Sequence, residues 1–205
     1  MSDRFKFAMA NDAALDRRVF IGRTLLAASC TVLAGAADSA PDNAKVTVAV
    51  ITHAGGAHVE MYFHALAQAE EVGSVVLADP DGTFETNARG TLGAKFAKVY
   101  ADYHELIANE KPVMALISME AKLAPAAIDA ALDAGCHVMA EKPACTNAED
   151  FAKLAAKANE KKLHLMLALC NRVNPEVLEA KRLVASGEIG KGYGIELHLV
   201  QAQTR

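Results

Sequence analysis

What this chain lacks removes several function classes at the start. Its four cysteines, Cys30, Cys136, Cys145 and Cys170, form no Cys-x-x-Cys pair, and none falls at metal-ligand spacing with the seven histidines. A metal centre and a disulfide framework are therefore not expected. No block of like charge occurs, and the formal net charge is -4. Such a balance offers no electrostatic footprint for nucleic acid or for an anionic membrane surface. Crossing a bilayer takes ~20 apolar residues, and the apolar stretch from Leu25 to Ala36 is too short for a stable membrane span. What remains is 205 residues, 52% hydrophobic and 22% charged, enough for one well-buried core and the beginning of a second domain.

The first forty residues read apart from the rest. Arg17 and Arg18 precede Val19-Phe20-Ile21 and the apolar stretch, which ends in Ala34-Gly35-Ala36 as a cleavage site. No acidic residue lies between Arg17 and Ala37. The pattern resembles a twin-arginine export signal over 1–36, with 37–44 as a linker, and it implies periplasmic delivery. The alternative is an amphipathic arm. Leu26 stands one position too far from Cys30 for a lipobox.

From Lys45 onward strands and helices alternate. The β-branched run Val46 to Ile51 predicts a strand, and Val59, Phe63 and Leu66 mark one face of a helix over about 57–69. Strands follow at Val75–Ala78, Lys98–Tyr100, Val113–Ser118, His137–Ala140 and Leu165–Leu169. Helices are expected over 83–93, after Asp102-Tyr103-His104-Glu105, over 125–134 before Gly135, through Phe151, Leu154, Ala155 and Ala158, and over 175–186 before Gly187. Thr146-Asn147-Ala148-Glu149 has the form of a capping box. Regular alternation at this spacing predicts an α/β fold, a doubly wound parallel sheet of Rossmann type over 45–186.

In such a sheet ligands bind outside the carboxyl ends of the strands, and a pyrophosphate favours the first strand-to-helix turn. Here that turn is His53-Ala54-Gly55-Gly56-Ala57. Against Gly-x-Gly-x-x-Gly, the three glycine positions hold Thr52, Ala54 and Ala57, with Gly55 and Gly56 between them, so that Gly56 would admit the phosphates in a shifted register. An ordinary tight turn is the alternative. His53 and His58 flank this loop, where a histidine either donates to a phosphate or faces water. Asp79, about twenty residues beyond the loop at the end of the second strand, can accept from both ribose hydroxyls and repel a 2′-phosphate. It also reads as part of an Asp-Pro-Asp-Gly turn. Glu141-Lys142-Pro143 follows the strand His137–Ala140, which puts Lys142 in the crevice; by itself it also reads as a solvated loop lysine. Cys136 and Cys170 read as small core residues.

Several of these pieces carry a resemblance. Val48-Ala49-Val50-Ile51 with its loop, Asp79-Pro80-Asp81, Val99 to Tyr103, Ala131 to Val138 running into Glu141-Lys142-Pro143, Asn171 to Pro175, and Ser186 to Gly190 occur in the order found in Gfo/Idh/MocA oxidoreductases. From Lys45 to Arg205 the chain resembles the amino-terminal half of that family. The resemblance implies hydride transfer between a nicotinamide and a sugar or polyol, with NAD expected and NADP less so, and a homo-oligomer at full length. It implies that Lys142 is catalytic, holding the substrate hydroxyl during proton loss, with Glu141 beside the nicotinamide ribose and Asn171 near the carboxamide. Ser118 and Glu120 fall on the cofactor side of the fourth strand. Glu120 and Ala124 stand where members carry a Pro and a His, so local cofactor contacts differ. NAD-dependent glycoside hydrolysis, known in the same family, is the alternative chemistry. The family's catalytic Asp and His lie in a second, α+β domain, of which Tyr193 to Gln201, within 187–205, reads as the first strand. An inactive 205-residue binding module is therefore the third reading.

Overall fold

The computed structural model describes residues 45–192 and 194. The twin-arginine signal, the linker up to residue 44 and, apart from Gly194, the strand expected from Tyr193 to Gln201 lie outside the described residues.

Val46–Thr52 (β1) opens a sheet to which Val72–Ala78 (β2), Phe96–Tyr100 (β3), Met114–Ser118 (β4), His137–Ala140 (β5) and Leu165–Leu167 (β6) contribute. All pairings are parallel, and the order is β3-β2-β1-β4-β5-β6. The helices are Val59–Gln68 (α1), Glu85–Leu92 (α2), Tyr103–Glu110 (α3), Ala124–Asp133 (α4), Ala148–Glu160 (α5) and Pro175–Ser186 (α6), with short 3-10 turns at Gly93–Lys95 and Cys170–Val173. This is the expected doubly wound sheet.

Apolar side chains on both faces explain the unbroken strand runs, because a parallel sheet is covered on each side. Val48, Val50, Val75, Leu77 and Leu116 pack with Val59, Phe63 and Leu66 of α1 and with Ala88 and Leu92 of α2. The alternate residues Ala49, Ile51, Val76, Ala78, Ala115 and Ile117 pack with α3, α4 and α5 through Leu106, Ile107, Ile128, Leu132 and Leu154. No residue of α6 is buried, and Val177, Leu178 and Val184 are exposed.

Boundaries differ from expectation where a side chain competes with the pattern. β2 starts at Val72, passing through Gly73. β6 stops at Leu167, because the backbone at Leu169 turns toward the 3-10 segment. The capping box is shifted by one residue: Asn147, not Thr146, caps α5, accepting from the Asp150 amide at 2.8 Å. Asp102 caps α3 as its sequence suggested, accepting from the His104 amide at 2.8 Å. Cys136 is buried and donates its thiol to the Pro112 carbonyl at 3.1 Å, whereas Cys170 is exposed and so is not a core residue.

Candidate functional site

The strand order reverses between β1 and β4, where Thr52 lies in register with Ser118. A crevice opens at such a switch point, outside the carboxyl ends of the strands. Two hydroxyls join its sides. Thr52 donates to the Ser118 carbonyl at 3.0 Å, and Ser118 donates to the Ala57 carbonyl at 2.6 Å. Ser118 thus anchors the first loop from the neighbouring strand.

That loop departs from the glycine pattern for a steric reason. A Cβ on Gly56 would stand 2.0 Å from Thr52 Oγ1 and 2.9 Å from the Ser118 carbonyl. With threonine in the first glycine position, the close approach between strand and helix moves to residue 56. The amides of residues 54–56 are satisfied within the protein: Ala54 donates to Asp81 Oδ2 at 3.1 Å, Gly55 to His53 Nδ1 at 3.0 Å, and Gly56 to the His53 carbonyl at 2.8 Å. The Glu120 amide approaches His53 Nε2 at 3.4 Å. A neutral imidazole has one lone pair, so the shorter Gly55 bond fixes the proton on Nε2, and the Glu120 approach is a contact. The amides of Ala57 and His58 have no acceptor among the described residues, and they stand where α1 begins. A helix start with unsatisfied amides suits an anion.

Asp79 ends β2 with 3% of its surface exposed. Its Oδ2 accepts from the Phe84 amide at 2.7 Å, and Oδ1 is buried with no hydrogen-bond partner among the described residues. A buried oxygen left so costs ~1–3 kcal/mol. The deficit has the chemistry of a missing donor, such as a ribose hydroxyl. With the open amides at α1, the residues present fit a dinucleotide.

Across the crevice, Glu141 follows β5 with 5% exposure, and Lys142 beside it is 54% exposed. The Glu141 Oε2 accepts the Tyr62 hydroxyl and lies 3.2 Å from His58 Nδ1, while Oε1 accepts the Lys142 amide at 3.1 Å. Burial opposes ionisation of Glu141, yet these three donors outweigh it and hold the carboxyl below its ordinary range. Burial raises the Tyr62 hydroxyl above its ordinary value, and the adjoining carboxylate adds to the effect. The Lys142–Pro143 peptide is cis. His58, Tyr62, Glu141 and Lys142 line one side of a hollow of about 580 Å³, closed by Met139, Leu165, Leu167 and Cys170 among others.

The sheet thus brings His53, Ala54, Gly55, Gly56, Ala57, Asp79, Ser118, Glu120, Glu141 and Lys142 to one edge, at the carboxyl ends of β1, β2, β4 and β5. Asn171 follows β6 in the exposed 3-10 turn and is not among the residues lining the hollow, although Cys170 and Arg172 on either side of it are. Reading the sequence did not find Tyr62, Asp81 or the Thr52–Ser118 link. Tyr62 sits on the flank of the α1 core face, beside the fully buried Phe63, and that flank position is its only sequence signal.

Among curated proteins, D-xylose 1-dehydrogenase (NADP(+)) of Hypocrea jecorina is 35% identical over 98 residues, which cover 48% of this chain and 25% of that protein. Inositol 2-dehydrogenase of Salmonella paratyphi B is likewise 35% identical over 98 residues, covering 46% and 29%. The solved scyllo-inositol dehydrogenase of Lactobacillus casei, with NAD(H) and scyllo-inositol bound, superposes with a TM-score of 0.64 at 20% identity, over 71% of this chain and 42% of that one. That likeness speaks for the fold. The matches thus span about a quarter of each curated relative's length and less than half of the solved one. Residues 46–169, more than half of the 205, match the family described as "Oxidoreductase family, NAD-binding Rossmann fold", and the chain therefore belongs to the Gfo/Idh/MocA oxidoreductases.

Proposed function

We propose that this chain is the dinucleotide-binding part of an oxidoreductase that moves hydride between a sugar or polyol carbon and a nicotinamide, with NAD preferred to NADP. The observation that carries the reading is the buried, unpartnered Asp79 Oδ1. A ribose hydroxyl donating to it would offset the desolvation it suffers, whereas a 2′-phosphate would meet like charge at close range. The Hypocrea relative is named for NADP(+), so cofactor choice rests on Asp79 and not on kinship. Calorimetric titration of the 205-residue chain tests it. Tighter binding of NAD than of NADP is expected, and Asp79→Ala should narrow the gap; equal affinity for both overturns the preference.

When bound, the nicotinamide supplies the hydride acceptor. The protein's share is to orient the substrate and to favour the negative charge that develops on its hydroxyl, which we assign to Lys142. Glu141 lies beside the lysine on the cofactor side, Ser118 and Glu120 border the same crevice, and Asn171 is assigned to the carboxamide. The names of the relatives, xylose and inositol dehydrogenases, favour net oxidation over glycoside hydrolysis. A panel of sugars, polyols and glycosides assayed with a protein that joins this chain to the family's second domain decides between them by whether a glycosidic bond survives in the product.

We further propose a homo-oligomer at full length and export by the Arg17-Arg18 signal to the periplasm. Light scattering tests the first. Changing both arginines to lysine tests the second, because the pathway reads paired guanidinium groups and not charge alone. Cytoplasmic retention of the double variant is the expected result, and unchanged periplasmic delivery overturns it.

A further inference from the structure

Glu141 and Lys142 are neighbours in sequence and of opposite charge, yet they do not close on each other. Lys142 Nζ stands 3.8 Å from Glu141 Oε1, beyond the roughly 2.7–2.9 Å of a charge-assisted hydrogen bond. A buried carboxylate beside a mobile ammonium would ordinarily take it as a donor, since an ionised oxygen in a low-dielectric pocket needs every available partner. The groups that hold the carboxylate instead stand at the start of α1 and on the Lys142 main chain. Tyr62 gives its hydroxyl proton to Oε2, and His58 presents Nδ1 to the same oxygen at 3.2 Å. The Lys142 main-chain amide takes Oε1 at 3.1 Å. Oε2 thus holds two partners, while Oε1 has one donor and keeps a further lone pair, yet with Oε2 held against Tyr62 and His58 it stays 3.8 Å from the ammonium. Arg172 lines the same hollow but makes no ion pair with Glu141 among the described residues, and Cys170 is the other titratable group on that side.

We propose that Tyr62 and His58 are positioning residues that hold Glu141 Oε2 against α1, so that the carboxylate does not capture the Lys142 ammonium and the lysine's donors stay available to a substrate hydroxyl. The proposal rests on the reading of Lys142 as the group that faces substrate. It assigns α1 two tasks. At its start the amides of Ala57 and His58 have no acceptor among the described residues, while the side chains of His58, just before the helix, and of Tyr62, within its first turn, hold the acid beside the lysine.

The test is the rate at which trinitrobenzenesulfonate modifies Lys142 in the full 205-residue chain at one fixed pH. Mass spectrometry of the peptide that contains residue 142 reads the rate. Wild type is compared with Tyr62→Phe, His58→Gln, Glu141→Gln and the double variant Tyr62→Phe/Glu141→Gln. Losing one α1 donor should let the carboxylate turn to the ammonium, and modification should slow several-fold in Tyr62→Phe and in His58→Gln. Adding Tyr62→Phe to Glu141→Gln should change nothing, because no carboxylate is left to restrain. Equal rates in wild type and both single variants overturn the proposal. So does an equal slowing in the Glu141→Gln background, which would mean that Tyr62 acts only through packing. Circular dichroism identifies a variant that fails to fold, and His58→Gln, at a half-exposed site, then decides. No dinucleotide or substrate is present, so failure of NAD to bind in calorimetry counts against the proposed function and not against this result.

Discussion

Gly56 lies directly over Thr52: a Cβ at 56 would stand 2.0 Å from Thr52 Oγ1, with the Ser118 carbonyl and Val59 Cγ2 each at 2.9 Å. Two of these three neighbours cannot yield cheaply, since one is main chain and the other belongs to a fully buried valine. Gly56→Ala should therefore destabilise the protein by about 1–3 kcal/mol, in the range of other overpacked sites. Thr52→Ala removes the closest atom, so the double variant should lose less than the sum of the two single losses. Urea titrations of the four proteins check this, and strict additivity would show that the loop moves away instead.

Glu141 links stability to acid. Its carboxyl titrates below the ordinary value of 4.5 because Tyr62, His58 and the Lys142 amide outweigh the burial that opposes ionisation. A depressed native value means that the unfolded chain takes up the proton first. The contribution of these bonds is complete above the ordinary value and is lost as the pH falls through the native one. Melting temperatures of wild type and Glu141→Gln should thus differ most at neutral pH and converge on acidification below about 4.5. A gap that stays constant from neutral to acid would exclude an ionised, hydrogen-bonded Glu141.

Lys95 closes the far end of α1. From the 3-10 turn its Nζ donates to the carbonyls of Leu66, Ala67 and Ala69 at 3.0, 2.8 and 2.7 Å; a helix end leaves the first two without partners, and the third also accepts from the Val72 amide at 3.2 Å. A cation there also meets the negative end of the helix dipole. Lys95→Met keeps the stem and removes the charge, and it should cost about 1–2 kcal/mol in denaturant titration. A loss under about 0.5 kcal/mol, ordinary for a surface change, would mean that water serves these carbonyls as well.

Local chemistry made some elements legible to the residue. β5 over His137–Ala140 lies between Gly135 and the Glu141 loop, and α6 over Pro175–Ser186 lies between a proline in its first turn and a glycine at φ 77. Where the punctuating residue was of an unexpected type, the boundary moved. α1 was expected from Ala57 but begins at Val59, because His58 takes the left-handed conformation, φ 59, that usually signals glycine. The crevice residues were legible because every parallel strand ends at the same edge. Their bonds were not. Tyr62 and Glu141 are 79 residues apart, and Ala54 and Asp81 are 27 apart, so only the assembled sheet sets each pair face to face. Helix periodicity puts Tyr62 on a flank but says nothing of what lies opposite.

Lys142 separates rate from affinity. It stands 54% exposed after β5, and the groups without partners among the described residues are others: the amides of Ala57 and His58 before α1, and Asp79 Oδ1 at the end of β2. Those groups are the ones assigned to the dinucleotide, and the ammonium is assigned to charge that develops on a substrate hydroxyl during proton loss. An interaction that strengthens only in the transition state lowers turnover when removed and leaves ground-state binding in place. In a protein that joins this chain to the family's second domain, Lys142→Ala should lower kcat on the order of a hundredfold or more, while NAD affinity measured by calorimetry changes little. Lys142→Arg keeps the charge but replaces a compact ammonium with a broad planar fork, so it should recover only part of the rate. A parallel loss of NAD affinity and rate would move Lys142 to the cofactor, and a normal rate in Lys142→Ala would remove it from the chemistry.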